Sequence, residues 1–213
     1  MNHNFDLIRS IHKGDTNLCI DLVCDDGKKI GRLVPLTNKH LSDDSIIDSI
    51  AKWRSENMSF FFTQFNSTSE RTRNWLRNNV FKNANQLIFL IYNTEKLIGH
   101  FGFKELNQSN VILDNAMRGE RGGHPKLLIY SGRAIVKWLF DNTNVNKIYG
   151  YVMTNNASSI MMNREIGFKG WVRYPLIKSL KGGDVVFEIG EKDELSQSSS
   201  YCYKVEIVRE KVR

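Results

Sequence analysis

The stretch from Met117 to Leu128 constrains this chain more than any other. An apolar strand pattern runs into Arg118-Gly-Glu-Arg-Gly-Gly-His124, then Pro125, then an apolar helix pattern. Proline suits the first turn of a helix, where its missing N–H is not needed. The first N–H groups of any helix lack internal partners and carry partial positive charge, so a strand–glycine–helix unit is built to receive phosphates. Gly119, Gly122 and Gly123 would let backbone approach a pyrophosphate, and Arg118, Arg121 and Lys126 would add charged donors. An ordinary glycine-rich turn has the same composition. No GKS or GKT follows, which excludes a Walker loop, and GxGxxG is absent, which excludes the dinucleotide fingerprint.

The flanking pattern orders the rest. Residues 5–11 and 19–24 are short apolar stretches, each followed by a turn signal, and predict a β-hairpin extension over residues 1–28. Residues 29–213 read as one domain: a strand at 30–36, a helix capped by Ser42 or Asp43, a second helix after Ser67-Thr68-Ser69, and a meander at 87–92, 97–106 and 111–117. The helix at 126–142 carries Leu127, Leu128, Ser131, Ala134, Ile135, Trp138 and Leu139 on one stripe. A strand at 147–153 and a helix from Asn155 or Asn156 to Ile166, ended by Gly167, complete a strand–helix–strand crossover. Strands near 168–177, 184–189 and 201–208 form a C-terminal β extension, with polar residues 191–200 looping out. Antiparallel hairpins followed by a crossover predict a mixed α+β fold.

Length and charge narrow the function. A chain of 213 residues supports one sizeable core. It has no run of about 18 apolar residues, so no membrane helix is expected. Its start does not read as a secretory signal, and Cys19, Cys24 and Cys202 make no disulfide framework, so a cytoplasmic protein with reduced thiols is expected. The net charge of +7 is spread along the chain without a basic run or nucleic-acid module. That excess suits an enzyme whose ligands carry phosphates. No metal site is expected.

The segment Asn156-Ala-Ser-Ser-Ile-Met-Met-Asn-Arg-Glu-Ile-Gly-Phe168 makes the pattern specific. An asparagine, a small residue three on, an apolar helix and a closing Gly-Phe, one helix and one strand after the glycine loop, resembles the GNAT superfamily of N-acetyltransferases over residues 30–175. The resemblance implies a mostly antiparallel sheet splayed at its centre between 111–117 and 147–153, flanked by helices, with acetyl-coenzyme A as cosubstrate in the cleft. Cofactor contacts are then expected from Met117, Arg118, Arg121, Gly122, Gly123, His124 and Lys126 at the pyrophosphate and pantetheine. Asn156 and Ser159 are expected beside the pantetheine, and Arg164 at the nucleotide. Two departures stand out. The loop is one residue longer than the common form, with Arg121 and His124 where glycines often fall. Asn163 occupies the position of the tyrosine that protonates the leaving thiolate in many members, which leaves water, backbone, Tyr149 or Tyr151 for that role.

Amine attack on a thioester requires loss of a proton from the ammonium, in a ternary complex by resemblance to the family. His100, Glu105 and Asp114 are the candidate bases. The pair Trp53-Arg54 ending the first helix, followed by Phe60-Phe61-Phe62, resembles members that acetylate nucleotide-linked deoxyamino sugars. Trp53, Arg54 and Phe61 would then contact a small-molecule amine, with no nucleic acid or membrane involved. The outline also resembles acetyltransferases of ribosomal-protein N-termini, and a binding module that has lost catalysis is the third reading. The basic balance leans to the sugar. The reading leaves room for a homodimer.

Overall fold

The computed structural model describes residues 3–192 and 200–209. Among them no helix is long and apolar enough to cross a membrane. Five helices flank a 10-stranded sheet ordered β1-β2-β4-β5-β6-β7-β10-β8-β9-β3. Helix α1 (His3–Lys13) leads to the hairpin β1 (Ile20–Val23) and β2 (Lys29–Pro35). Helices α2 (Asp44–Glu56) and α3 (Ser69–Trp75) bracket the two-residue strand β3 (Thr63–Gln64). The meander is β4 (Leu87–Asn93), β5 (Lys96–Lys104) and β6 (Asn110–Arg118). Helix α4 (Leu127–Asn142), β7 (Lys147–Met153) and α5 (Ala157–Ile166) form the crossover. Strands β8 (Lys169–Lys181), β9 (Asp184–Ile189) and β10 (Tyr201–Val208) complete the sheet.

The N-terminus corrects the expected hairpin. Residues 5–11 are helical, and the stripe that α1 buries is Asn4, Ile8, Ile11 and His12, spaced at helical intervals. Two of those four are polar, which hides the period from an apolar count. The second stretch is a strand, but its partner is β2, across a turn closed by Cys24 and Lys28. That hairpin straddles residue 28 and belongs to the main sheet. Pro125 also sits two residues ahead of α4, whose N-cap is Lys126. The expected polar loop at 191–200 lies largely outside the described residues.

Two cores clamp the sheet. On one face α1, α4 and α5 pack Ile8, Ile11, Leu127, Ile135, Leu139 and Ile166 onto Phe89, Phe101 and Ile148. On the other, α2 and the turn after α3 pack Ile46, Ile47, Ile50, Leu76 and Val80 onto Ile88 and Leu90. Strand β4 is buried on both faces from Leu87 to Ile91, which is why it reads as an unbroken apolar run. Helix starts follow their caps. Asp43 accepts from the Ser45 and Ile46 N–H groups, Thr68 from Arg71, and Asn156 from Ser159. Gly167 closes α5 in the left-handed conformation, with φ 116°.

Candidate active site

Strands β6 and β7 run parallel and pair only from Asn110–Leu113 to Lys147–Gly150. Beyond Leu113 they part, so the stretch Asp114–Arg118 keeps β5 on one side and faces a cleft of about 460 Å³ on the other. Met117, Gly150, Asn156, Ser159 and Asn163 line it. An unpaired strand edge inside a cleft presents N–H and C=O groups that need partners, and an extended, amide-bearing ligand supplies them. Gly150 helps keep the floor low: a Cβ there would meet Val205 at 3.1 Å and the Asn163 carboxamide oxygen at 3.4 Å. Asn163 is buried and donates to the Ser159 carbonyl at 2.8 Å.

The glycine loop is held differently from expectation. The Arg118 guanidinium donates to the carbonyls of Gly122, His124 and Pro125, at 2.6, 3.1 and 3.0 Å. It therefore shapes the loop from within. Gathering those carbonyls on one side turns the Gly123 N–H the other way, because the two ends of a peptide unit point oppositely. Gly122 and Gly123 have φ of 112° and 70°, which L side chains rarely adopt. Gly119 has another reason to be glycine: a Cβ there would lie 1.9 Å from the Trp53 ring. Trp53 is 1% exposed, donates from Nε1 to Glu120 at 3.1 Å and lines neither cavity, so it packs beneath the loop instead of meeting an acceptor. Lys126 is paired with Glu165 at 2.6 Å, which raises its pKa. His124 accepts from the Lys126 N–H and packs edge-on to Tyr130. Arg121 is exposed, and Arg164 lies over Trp171. The cleft lining ends at Arg118 and Leu128, so residues 119–126 and Arg164 lie outside its enclosed part.

A second cavity of about 340 Å³ borders β5 and β6. Arg54, Phe65, Arg71, His100, Lys104 and Asp114 line it, and it shares Asp114 and Asn115 with the cleft. The Arg54 guanidinium lies 3.4 Å from the Phe61 ring centre and donates to the Thr63 carbonyl at 2.8 Å, while its Nε is buried without a partner. Burial lowers its pKa to about 10. Arg71 stacks on Phe65 and pairs with Asp184, and Lys104 pairs with Asp114 at 3.1 Å. Phe61 lines the cleft from the segment between α2 and α3.

The three candidate bases part company here. Asp114 borders both cavities. Glu105 is exposed at the end of β5 and lines neither cavity. His100 is 4% exposed, and burial lowers its pKa to about 4, against a hydrogen bond between Nδ1 and the Asn115 carbonyl at 2.8 Å. An imidazole that holds a proton so weakly is a poor acceptor from an ammonium. Tyr151 lines the cleft, whereas Tyr149 does not and lies under the Lys204 ammonium, 4.4 Å from its ring centre. Sequence reasoning missed Asn115, Arg71 and Phe65. Asn115 is a non-glycine residue at φ 55°, and only the modest tolerance of asparagine for that region hints at it.

A cleft at a splayed parallel pair, with an Asn-capped helix along its side and a glycine loop beyond its rim, fits an acyl-coenzyme A transferase. The acetyltransferase (GNAT) domain family matches residues 43–174, and the chain belongs to that family. It is an acetyl-coenzyme A-dependent N-acetyltransferase. Solved structures agree on the fold. The acetyl transferase from Salmonella typhimurium that modifies the N-terminal serine of 50S ribosomal subunit protein L7/L12 aligns with TM-score 0.64 at 10% identity, covering 91% of this chain and 100% of that one. A probable GNAT acetyltransferase from Chromobacterium violaceum aligns with TM-score 0.61 at 10% identity, over 85% and 84%. Spermidine N-acetyltransferase from Vibrio cholerae, in complex with CoA and spermine, aligns with TM-score 0.54 at 17% identity, over 83% and 94%. No curated protein sequence matches the chain.

Proposed function

We propose that this enzyme acetylates the primary amine of a small molecule, a nucleotide-linked deoxyamino sugar, which reaches the thioester through the second cavity. The observation that carries the reading is that Asp114 and Asn115, on the stretch of β6 that has parted from β7, border both cavities. Acetyl-coenzyme A supplies the acetyl thioester. The open edge from Asp114 to Arg118 would hold the pantetheine amides, with Asn156 and Ser159 across the cleft. The Gly122–Gly123 turn, Arg121 and Lys126 would face the pyrophosphate, with Arg164 toward the nucleotide.

Asp114 is the proposed proton acceptor, because it alone of the three candidates borders both cavities. The freed amine attacks the carbonyl carbon as the C–N bond forms and the C–S bond breaks. A backbone N–H near Met117 would meet the developing oxyanion. The leaving thiolate then needs a proton. The Asn163 amide cannot serve as that acid, whereas Tyr151 borders the cleft with an ionisable hydroxyl. Direct attack is favoured over an acyl-enzyme because none of Cys19, Cys24 and Cys202 lines either cavity.

The acceptor class rests on Arg54. Arg71 and Lys104 already face carboxylates, while Arg54 has only a carbonyl and aromatic rings. Desolvation of Arg54 outweighs the attraction of the nearby Asp114 charge, and a buried cation so poorly compensated favours an anionic ligand. The Phe61 and Phe65 rings flanking it suit a sugar or base face. The test compares Arg54→Ala with the parent, using a nucleotide-linked amino sugar and a basic peptide, by coenzyme A thiol release. A charge-assisted contact of about 1.5–3 kcal/mol predicts an acceptor KM raised about tenfold or more, with little change for acetyl-coenzyme A. Acetylation of the peptide alone would overturn the sugar reading.

A further inference from the structure

We propose that His100 is a positioning residue: its hydrogen bond to Asn115 locks a β-bulge in β6 that aims Asp114 and the open strand edge at the two cavities. The register shows the bulge. His100 pairs with Met117 and Gly102 with Asp114, so two steps along β5 answer three along β6. The extra residue is accommodated at Asn115, whose φ of 55° lies in the left-handed region. A regular ladder would instead set Ala116 opposite His100. Because side chains alternate across a strand, a one-residue slip would send Ala116, Met117 and Arg118 to opposite faces. Met117 would leave the cleft and Arg118 would leave the loop carbonyls it gathers.

Something must hold a non-glycine residue in that conformation. The Asn115 carbonyl accepts from a ring nitrogen of His100 at 2.8 Å, so Nδ1 carries the proton. The imidazole, 4% exposed, lies tilted beside Trp53 with ring centres 6.1 Å apart, and Trp53 is itself wedged under Gly119. The Asn115 carboxamide in turn donates to Asp114 at 3.1 Å, on the carboxylate that also meets Lys104. A chain of contacts thus runs from the glycine loop through Trp53 and His100 to Asp114. It ties the cofactor side of the site to the acceptor side.

This inference rests on the acetyl-transfer reading only for its kinetic arm. His100→Asn keeps an N–H donor near the Nδ1 position and should retain kcat within about threefold. His100→Ala should lower kcat at least tenfold and weaken coenzyme A binding by calorimetry, because the β6 edge is lost. Adding Asn115→Gly to His100→Ala should recover part of the loss, since glycine takes the left-handed conformation without a latch. Independently of any acceptor, 15N shifts of His100 should report the Nδ1–H tautomer between pH 5 and 8. A His100→Asn variant as inactive as His100→Ala, with the neutral limb of the pH–rate profile gone, would make His100 the base and overturn the proposal. So would wild-type kcat in a folded His100→Ala, or an Nε2–H tautomer. If His100→Ala does not fold, His100→Asn and the tautomer decide. A wild type that binds coenzyme A but releases no thiol with any amine would overturn the acetyl-transfer reading and leave the tautomer test standing.

Discussion

Substituting Gly119 by alanine tests how the cofactor loop is built. The added Cβ would lie 1.9 Å from Trp53 Cδ2 and 2.0 Å from Cε2, well inside contact distance. These are atoms of a rigid indole that is 1% exposed and donates to Glu120, so the ring cannot give way cheaply. Either the ring is displaced from its bed beside His100 or the loop lifts. Overpacking of this kind costs about 1–3 kcal/mol. For a chain of this length each kcal/mol lowers Tm by about 2–4 °C, so Gly119→Ala should melt several degrees below the parent, and as much as about 10 °C. It should also bind coenzyme A more weakly, since the loop is carried by the same contact. Thermal melting and calorimetry measure both. Trp53→Leu supplies the control: in that background the alanine should cost far less, because the clashing ring is gone. If Gly119→Ala melts with the parent, or costs as much without the indole as with it, the packing account is wrong.

Gly123→Asp should weaken coenzyme A binding at least tenfold by calorimetry, while Gly123→Asn, of similar shape but neutral, should lose less; equal losses would make backbone strain at φ 70° the whole cause. Tyr151→Phe should lower kcat about tenfold or more with acceptor KM unchanged if Tyr151 protonates the thiolate, and an unchanged kcat would assign that step to water. His12 is buried, and burial lowers its pKa to about 4 against an opposing backbone contact at Gln86. Below pH 6.5 the unfolded chain takes up a proton that the fold refuses, so stability should fall as pH drops from about 6.5 towards 4. That loss is on the order of 1–3 kcal/mol, and His12→Leu should flatten the decline in Tm across the window without abolishing it, because His100 behaves alike.

The sequence alone determined those features of this protein that depend on local order. The apolar runs of the meander, capping residues ahead of α2, α3 and α5 (to within one residue at Asp43 and Asn156), and Gly167 closing α5 are local physics, and they were legible as such. So was the family, because the glycine loop and the Asn156 helix recur at a spacing that one helix and one strand dictate. Where polar residues join a buried stripe, as Asn4 and His12 do in α1, the period disappears from an apolar reading and the helix passed for a strand. Only the tertiary structure decided which functional groups each residue serves. Arg118 and Lys126 looked alike as loop cations, yet Arg118 is spent on three carbonyls of its own loop. Trp53 looked like an acceptor wall and is the support beneath Gly119. His100 and Asp114 were both candidate bases until the burial of His100 and the place of Asp114 beside both cavities separated them. Partners distant in sequence set each of those roles, because the desolvation, counter-charge and free volume at a side chain come from whatever the fold packs against it.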